Sequence, residues 1–307
     1  MKPDILVIVN PASGGGKARR IEPRISAFLV AHGANARFVH SRSSEDIRHQ
    51  AAGATAEGYR YVVALGGDGA FHHVVEGLTG TDVIAGFFPA GNGNDIARPL
   101  GIPANAMRAA KAFLHSKPRL VDLVRVSFSD GRSAHFIGAG GMGLDAEAAH
   151  LANTRFRKWP GVTRYLAGAL SSFSHSQPIE LRAKFDDQLW SGRALFAAIA
   201  NGTSYGAGVR IAPEAKMDDG WLDAVVIGEL GWLRLLRAIP IVLTSGNLQQ
   251  FKEVQRFRCR RAVVETGRPV KIHGDGELLG ESPAEFEILP GAIRVMTPNS
   301  AESEQSR

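Results

Sequence analysis

Apolar residues follow two different regimes along this chain. In the first third, short apolar runs alternate with stretches of helical period. Ile5 to Val9 leads into the turn from Asn10 to Arg20 and then a helix-like stretch from Ile21 to Gly33. Tyr61 to Leu65 leads into Gly66-Gly67-Asp68-Gly69-Ala70 and then residues 71–78, where Phe71, Val74, Val75 and Leu78 share one helical face. Val83 to Phe88 leads into Pro89 to Asp95 and then Ile96 to Gly101. Strand, glycine-rich turn and helix in repetition predict a doubly wound parallel sheet with helices on both faces.

After about Val121 the period changes to alternating strands broken by hairpin turns. Val121 to Phe128 breaks at Asp130-Gly131, and Ile179 to Phe185 breaks at Asp186-Asp187; further strand patterns lie at 221–228, 261–266, 270–274 and 285–298. Antiparallel structure is the natural reading. The chain therefore divides near residue 125, into an α/β domain (1–125) and a β-rich domain (126–290). The pattern leaves residues 291–307, with the strand from Ala292 to Thr297, open to a return to the first domain.

A chain of 307 residues with 44% hydrophobic content can bury two ordinary cores, and 21% charged residues well mixed with apolar ones do not read as disorder. Only 301–307 reads as frayed. One cysteine, Cys259, excludes an internal disulfide and a cysteine-based zinc site, which fits a reducing cytoplasm. The apolar run at residues 5–9 is too short for a signal peptide, and no run approaches the roughly 20 residues that span a bilayer. Membrane contact is therefore expected to be peripheral. The net charge of +6 favours an anionic partner, although a basic surface also serves solubility alone.

One segment interrupts the β half. Residues 155–175 set Arg155, Arg157, Lys158 and Arg164 beside Phe156, Trp159, Tyr165, Leu166, Leu170 and Phe173. Cations next to aromatics suit a lipid headgroup interface, so Arg155, Phe156, Arg157, Lys158 and Trp159 are candidate membrane contacts. An ordinary helix on the β domain is the plainer alternative.

Glycine-rich turns at the C-terminal ends of parallel strands, each opening a helix, present backbone N–H groups to an anion. Three in one small domain exceed what packing needs. They are not Walker loops: Pro11 stands where the first glycine belongs, and Ala18 where Ser or Thr would meet Mg²⁺. Gly138 to Gly143 matches G-x-G-x-x-G but has Arg157 and Lys158 where an acid is needed. Gly66 to Gly69 and Gly91 to Asp95 place carboxylates, Asp68 and Asp95, inside the glycine runs. Carboxylates beside phosphates are repelled unless they bind Mg²⁺ or accept a proton, which points to phosphoryl transfer; Asp68 as a plain helix cap is the alternative.

The motifs at residues 10–17, 66–70, 89–98, 212–223 and 274–277 occur in the order and spacing of the lipid kinase family that includes bacterial diacylglycerol kinases and sphingosine and ceramide kinases. The chain resembles that family over nearly its whole length. The resemblance implies an N-terminal nucleotide domain of the NAD kinase and diacylglycerol kinase type, a C-terminal β-sandwich, and ATP in the cleft between them. It implies nucleotide contacts at Asn10, Pro11, Ser13, Gly14, Ser41, Gly66, Gly67, Asp68, Gly69, Ala70, Gly91, Asn92, Gly93, Asn94 and Asp95. Asp68, Asp275 and Glu277 would form the catalytic carboxylates, one taking the proton of the lipid hydroxyl and the others holding Mg²⁺; Glu277 or Asp275 is favoured as base. A structural Mg²⁺ would sit on Asp219 with the carbonyls of Lys216 and Trp221. Residue types alone show only a turn there.

The implied reaction is Mg-dependent transfer of the γ-phosphate of ATP to a lipid hydroxyl, as in diacylglycerol or a sphingoid lipid. The implied setting is the inner membrane face, without nucleic acid, in a homodimer. Two hydroxyls usual in the family are replaced by Ala70 and Asn92, which keeps a weakly catalytic nucleotide-binding regulator as one alternative; a kinase of a soluble acceptor such as NAD is the other. His72 and His73 follow the second loop, where exposure to solvent is expected, with a phosphate contact as the alternative. His273 precedes Gly274 as an ordinary strand residue or a modulator of its neighbours.

Overall fold

A computed structural model describes residues 4–143, 178–206, 208–248 and 250–298. The expected membrane contacts at residues 155–159 lie outside them. Two compact units emerge, Met1–Asp122 with Gly291–Arg307, and Leu123–Pro290.

In the first unit, β1 (Ile5–Val9), β2 (Ala36–His40), β3 (Tyr61–Gly66) and β4 (Ile84–Pro89) lie in the order β2-β1-β3-β4, all parallel. β1 and β4 are buried at every position, as strands covered on both faces should be. The helices are α1 (Ser13–Ala31), α2 (Ser44–Gly53), α3 (Asp68–Leu78) and α4 (Ala106–Phe113). On α3, Phe71, Val74, Val75 and Leu78 are all buried, as their spacing predicts, and Phe71 stacks on Phe87 at 4.6 Å between centroids. Each such side chain contributes about 1.5–3 kcal/mol by leaving water. Two differences from the sequence pattern appear. Residues 95–101 form turns instead of a helix; Pro99 lacks the N–H a helix would use. The helix comes later, as α4, where Asn105 accepts the N–H groups of Met107 and Arg108.

The second unit is a β-sandwich of antiparallel strands: β6 (Ser133–Phe136), β7 (Ala139–Gly143), β8 (Ile179–Phe185), β9 (Gln188–Ala200), β10 (Leu222–Gly228), β11 (Val254–Cys259), β12 (Arg261–Thr266), β13 (Lys271–Gly274) and β14 (Glu277–Glu281). β8 alternates buried and exposed positions without exception, the period-2 mark of a half-buried strand. Its inward residues join Phe136, Ile272 and Phe286 in one core. One helix, α5 (Trp232–Thr244), was not legible as such in the sequence. Two strands belong to both units: β5 (Lys117–Phe128) crosses the division at Asp122, and β15 (Ala284–Thr297) begins antiparallel to β12 and ends parallel to β4.

Gly138 to Gly143 is largely strand, not a phosphate loop. Residues 140–142 pair with β13 on one side and β9 on the other. A Cβ on Gly140 would stand 2.5 Å from the carbonyl oxygen of His273, so this glycine serves close strand approach.

Candidate active site

The C-terminal ends of β1, β3 and β4 continue into three loops that interlock through their backbones. Asn10 N–H donates to the Leu65 carbonyl at 3.0 Å, and Ala90 N–H to that of Gly66 at 2.6 Å. Ser13 Oγ accepts the Gly67 N–H at 3.1 Å, and Asn10 Oδ1 accepts that of Ala12 at 3.2 Å. Pro11 lies in the first of these turns and Gly69 in the first turn of α3, both half-buried. Gly14, Gly15 and Gly16 hold φ of 60, 67 and 85°, a left-handed run before the regular part of α1 that L side chains resist. A Cβ on Gly14 would come within 2.1 Å of the Ala90 oxygen, and one on Gly91 within 2.6 Å of the Gly67 Cα. Ser41, at the end of β2, is buried and directs both its N–H and its hydroxyl at the Val9 carbonyl. Ala70 is buried against Gly66, while Asn92 is exposed at the loop tip.

Asp68 ties two of these loops together. One carboxylate oxygen accepts the Asn94 N–H at 2.7 Å, the other the Ile96 N–H at 3.2 Å. It is not a helix cap: Gly67 is the N-cap of α3, no side chain makes a cap bond, and Asp68 is the first helical residue. Burial, and then the negative charge of Asp95, push the Asp68 carboxyl up to about 6, against the pull of the loop N–H groups. A Cβ on Gly93 would stand 2.7 Å from one Asp68 oxygen and 3.7 Å from one of Asp95. Two like charges thus converge beneath a half-buried glycine. That donor set fits a divalent cation, which would relieve the repulsion.

In the second unit, Asp275 and Gly276 are the central residues of the β13–β14 hairpin, with φ of 52 and 90°. Positive φ at both is the demand of a type I′ turn, met by Asp-Gly. The Asp275 carboxylate accepts the N–H groups of Ile137 at 2.9 Å and Gly138 at 2.8 Å, and its own N–H donates to the Ala139 carbonyl at 2.9 Å. Both oxygens hold backbone, as those of Asp68 do. Glu277 opens β14 as a half-buried residue paired with Gly274. His273 has its pKa lowered by burial and by Lys271, partly offset by Glu277.

The surroundings of Asp219 do not fit the expected structural Mg²⁺. One of its oxygens accepts the Trp221 N–H at 3.1 Å; the other meets the Arg258 guanidinium at 2.5 Å. Arg258 and Arg260 also lie over the Trp221 ring, at 5.3 and 4.7 Å. A cation already sits on the carboxylate that, with Lys216 and Trp221, would carry the metal.

The two loop histidines depart from expectation. His72 is buried, and both imidazoles turn to Glu76, His72 at 3.6 Å and His73 at 3.1 Å. They lie one turn or less from a carboxylate on their own helix, which draws them in.

Sequence reasoning gave no hint of the backbone donors at Ile96 and Ile137 or of Arg258. Each is far in sequence from its carboxylate, and a backbone N–H carries no residue-type signal.

The model for the diacylglycerol kinase catalytic domain matches residues 4–126, and that for the YegS C-terminal NAD kinase beta sandwich-like domain matches 138–297. A protein named diacylglycerol kinase from Mycobacterium tuberculosis (strain CDC 1551 / Oshkosh) is 31% identical, over 96% of this chain and 95% of the relative. A protein of Stenotrophomonas maltophilia (strain K279a) named "Probable lipid kinase YegS-like" is 27% identical, over 82% of this chain and 84% of the relative. A crystal structure from Bacillus anthracis str. Sterne matches with a TM-score of 0.81 at 23% identity, covering 98% of this chain and 97% of the other, and so shares the fold. The chain belongs to the diacylglycerol-kinase-like family of lipid kinases, phosphotransferases that take an alcohol group as acceptor.

Proposed function

We propose that this protein transfers the γ-phosphate of ATP to the hydroxyl of a diacylglycerol-like lipid, with nucleotide on the loops of the first unit and Glu277 as general base. The observation that carries the choice of base is the occupancy of Asp275: both its oxygens hold backbone N–H groups. A carboxylate whose two oxygens both hold backbone is fixed in place, which suits a positioning residue better than a proton carrier. Glu277, two residues on, is the next carboxylate along the hairpin, whereas Glu281 stands at the far end of β14, opposite Lys271.

Those backbone N–H groups of residues 13–16, 67–70 and 91–95 that are not already held within the loops, as those of Ser13, Gly16, Gly67 and Asn94 are, are suited to the phosphates, as in other glycine-rich anion sites. Asp68 keeps the third of these loops in register with the second. Bound Mg²⁺ would be held at Asp68 and Asp95 and would supply charge neutralisation on the phosphates. Glu277 takes the proton of the acceptor hydroxyl; that oxygen bonds to the γ-phosphorus as the bond to the bridging oxygen breaks, and ADP leaves. The products are a phosphorylated lipid and ADP, with the proton on Glu277.

A lipid acceptor brings the protein to a membrane surface. No helix among the described residues is long and apolar enough to cross one, so the contact we propose is peripheral. The test is transfer of labelled phosphate from ATP to diacylglycerol, sphingosine and ceramide in mixed micelles, with NAD as a soluble control. Label in a lipid that disappears in Glu277→Gln supports the reading. Label in NAD alone, or ATP binding with no transfer to any acceptor, would overturn it.

A further inference from the structure

Helix α5 carries its exposed leucines on the wrong side for a surface helix. Ala238 and Ile241 face inward onto Leu248 and Phe251. On the outer side, Leu233 is 76% exposed and Leu236 53%, two of the six large apolar side chains left exposed among the described residues. Arg237 and Pro240 are exposed as well. Positions 233, 236, 237 and 240 are three, four and seven apart, so they lie along one face of the helix. A helix in water normally gives that face to polar residues.

The charges around it are of one sign once the ion pairs are removed. Between Glu229 and Arg256 the acids are Glu229 and Glu253 and the bases are Arg234, Arg237, Lys252 and Arg256. Glu229 pairs with Arg193, and Glu253 with Arg234. Arg237 and Lys252 pair with no acid among the described residues and stand exposed. Leucines projecting outward beside uncompensated cations complement a surface that is apolar below and anionic above, which describes a bilayer with acidic headgroups. At 13 residues the helix is about 20 Å long, short of the roughly 30 Å hydrocarbon core, so it lies in the interface.

We infer that the outer face of α5, with Leu233 and Leu236 inserted and Arg237 and Lys252 at headgroup level, docks this protein on an anionic lipid bilayer. This rests on the lipid kinase reading, in which the acceptor resides in a membrane. It involves none of residues 155–159.

The test is co-sedimentation of the full chain with vesicles of phosphatidylcholine alone and of phosphatidylcholine mixed with phosphatidylglycerol. Wild type should bind the mixed vesicles and be released by salt. Leu233→Ser with Leu236→Ser should lower binding by roughly tenfold or more, given the apolar area removed, and Arg237→Glu should weaken binding to the mixed vesicles only. Far-ultraviolet circular dichroism and melting temperature check that the variants stay folded. Equal binding by wild type and the leucine variant overturns the proposal. So does a wild-type dimer that the leucine variant converts to monomer without change in vesicle binding, because the face would then join two copies of the chain. The assay needs no turnover, so it decides this surface even if transfer to lipid fails.

Discussion

The carboxylate of Asp68 accepts the backbone N–H of Asn94 at 2.7 Å, across 26 residues of chain. Asn94 has φ of 60°, a left-handed conformation costly for a residue with a side chain unless its surroundings impose it. The bond to Asp68 is one such constraint. It makes the second and third loops a single frame.

Removing that carboxylate should cost both structure and activity. Asp68→Ala leaves the N–H groups of Asn94 and Ile96 without their acceptor, and each unmet buried donor costs about 1–3 kcal/mol. We expect a lower melting temperature and at least a tenfold weaker affinity for ATP. Wild-type affinity in a folded Asp68→Ala protein would refute the frame.

The pH dependence has a definite sign. The folded Asp68 carboxyl titrates at about 6 and its ordinary value is 3.8, so between these values the folded state holds more protons than the unfolded. Stability from this group is greatest at acid pH and falls as pH rises through 6, by roughly 3 kcal/mol in all for a buried group. The difference in unfolding free energy between wild type and Asp68→Asn, from denaturant titrations across this range, should decline with pH and then level off. Mg²⁺ with nucleotide should flatten the decline. A difference that grew with pH would mean the N–H groups outweigh burial and Asp95.

Gly91→Ala probes the contact between loops. Its Cβ would lie 2.6 Å from the Gly67 Cα, and backbone has no rotamer with which to yield. Overpacking of this kind costs about 1–3 kcal/mol. The expected result is a raised KM for ATP with a lower melting temperature; unchanged values would show that the loops are not in contact.

Glu277→Gln and Asp275→Asn should differ in kind. Loss of a general base lowers kcat by about 10²–10⁴, so Glu277→Gln should fold like wild type and be nearly inactive. Asp275→Asn offers one oxygen where two N–H groups need acceptors, and should lose about 1–3 kcal/mol of stability. The reverse pattern, an active Glu277→Gln and a stable, inactive Asp275→Asn, would move the base to Asp275.

The ion pair of Asp219 and Arg258 predicts indifference to metal in that loop. In the absence of nucleotide, the melting temperature of Asp68→Asn, whose carboxylate pair with Asp95 is broken, should be the same in EDTA and in Mg²⁺. Arg258→Ala should lower it modestly, by about 1 kcal/mol in stability for a partly exposed pair. A clear fall with EDTA would restore a structural cation at Asp219.

Much of this protein was written in local sequence. The period of residues 71–78, the apolar runs before each glycine turn and the hairpin breaks at Asp130-Gly131 and Asp186-Asp187 act through neighbours in the chain, so they could be read without a fold. The same holds for the Asp-Gly turn at 275–276, whose conformation the residue pair dictates. What tertiary structure alone decided acts across long separations. Asp68 reaches residues 94 and 96, Asp275 reaches 137 and 138, and Arg258 reaches Asp219. Helix α5 hid for a local reason: it carries Pro240 in its interior, a residue that by itself argues against a helix. Sequence patterns report which residues prefer water, whereas a carboxylate's partner, and the side of a helix that meets water, depend on what the folded chain brings beside them.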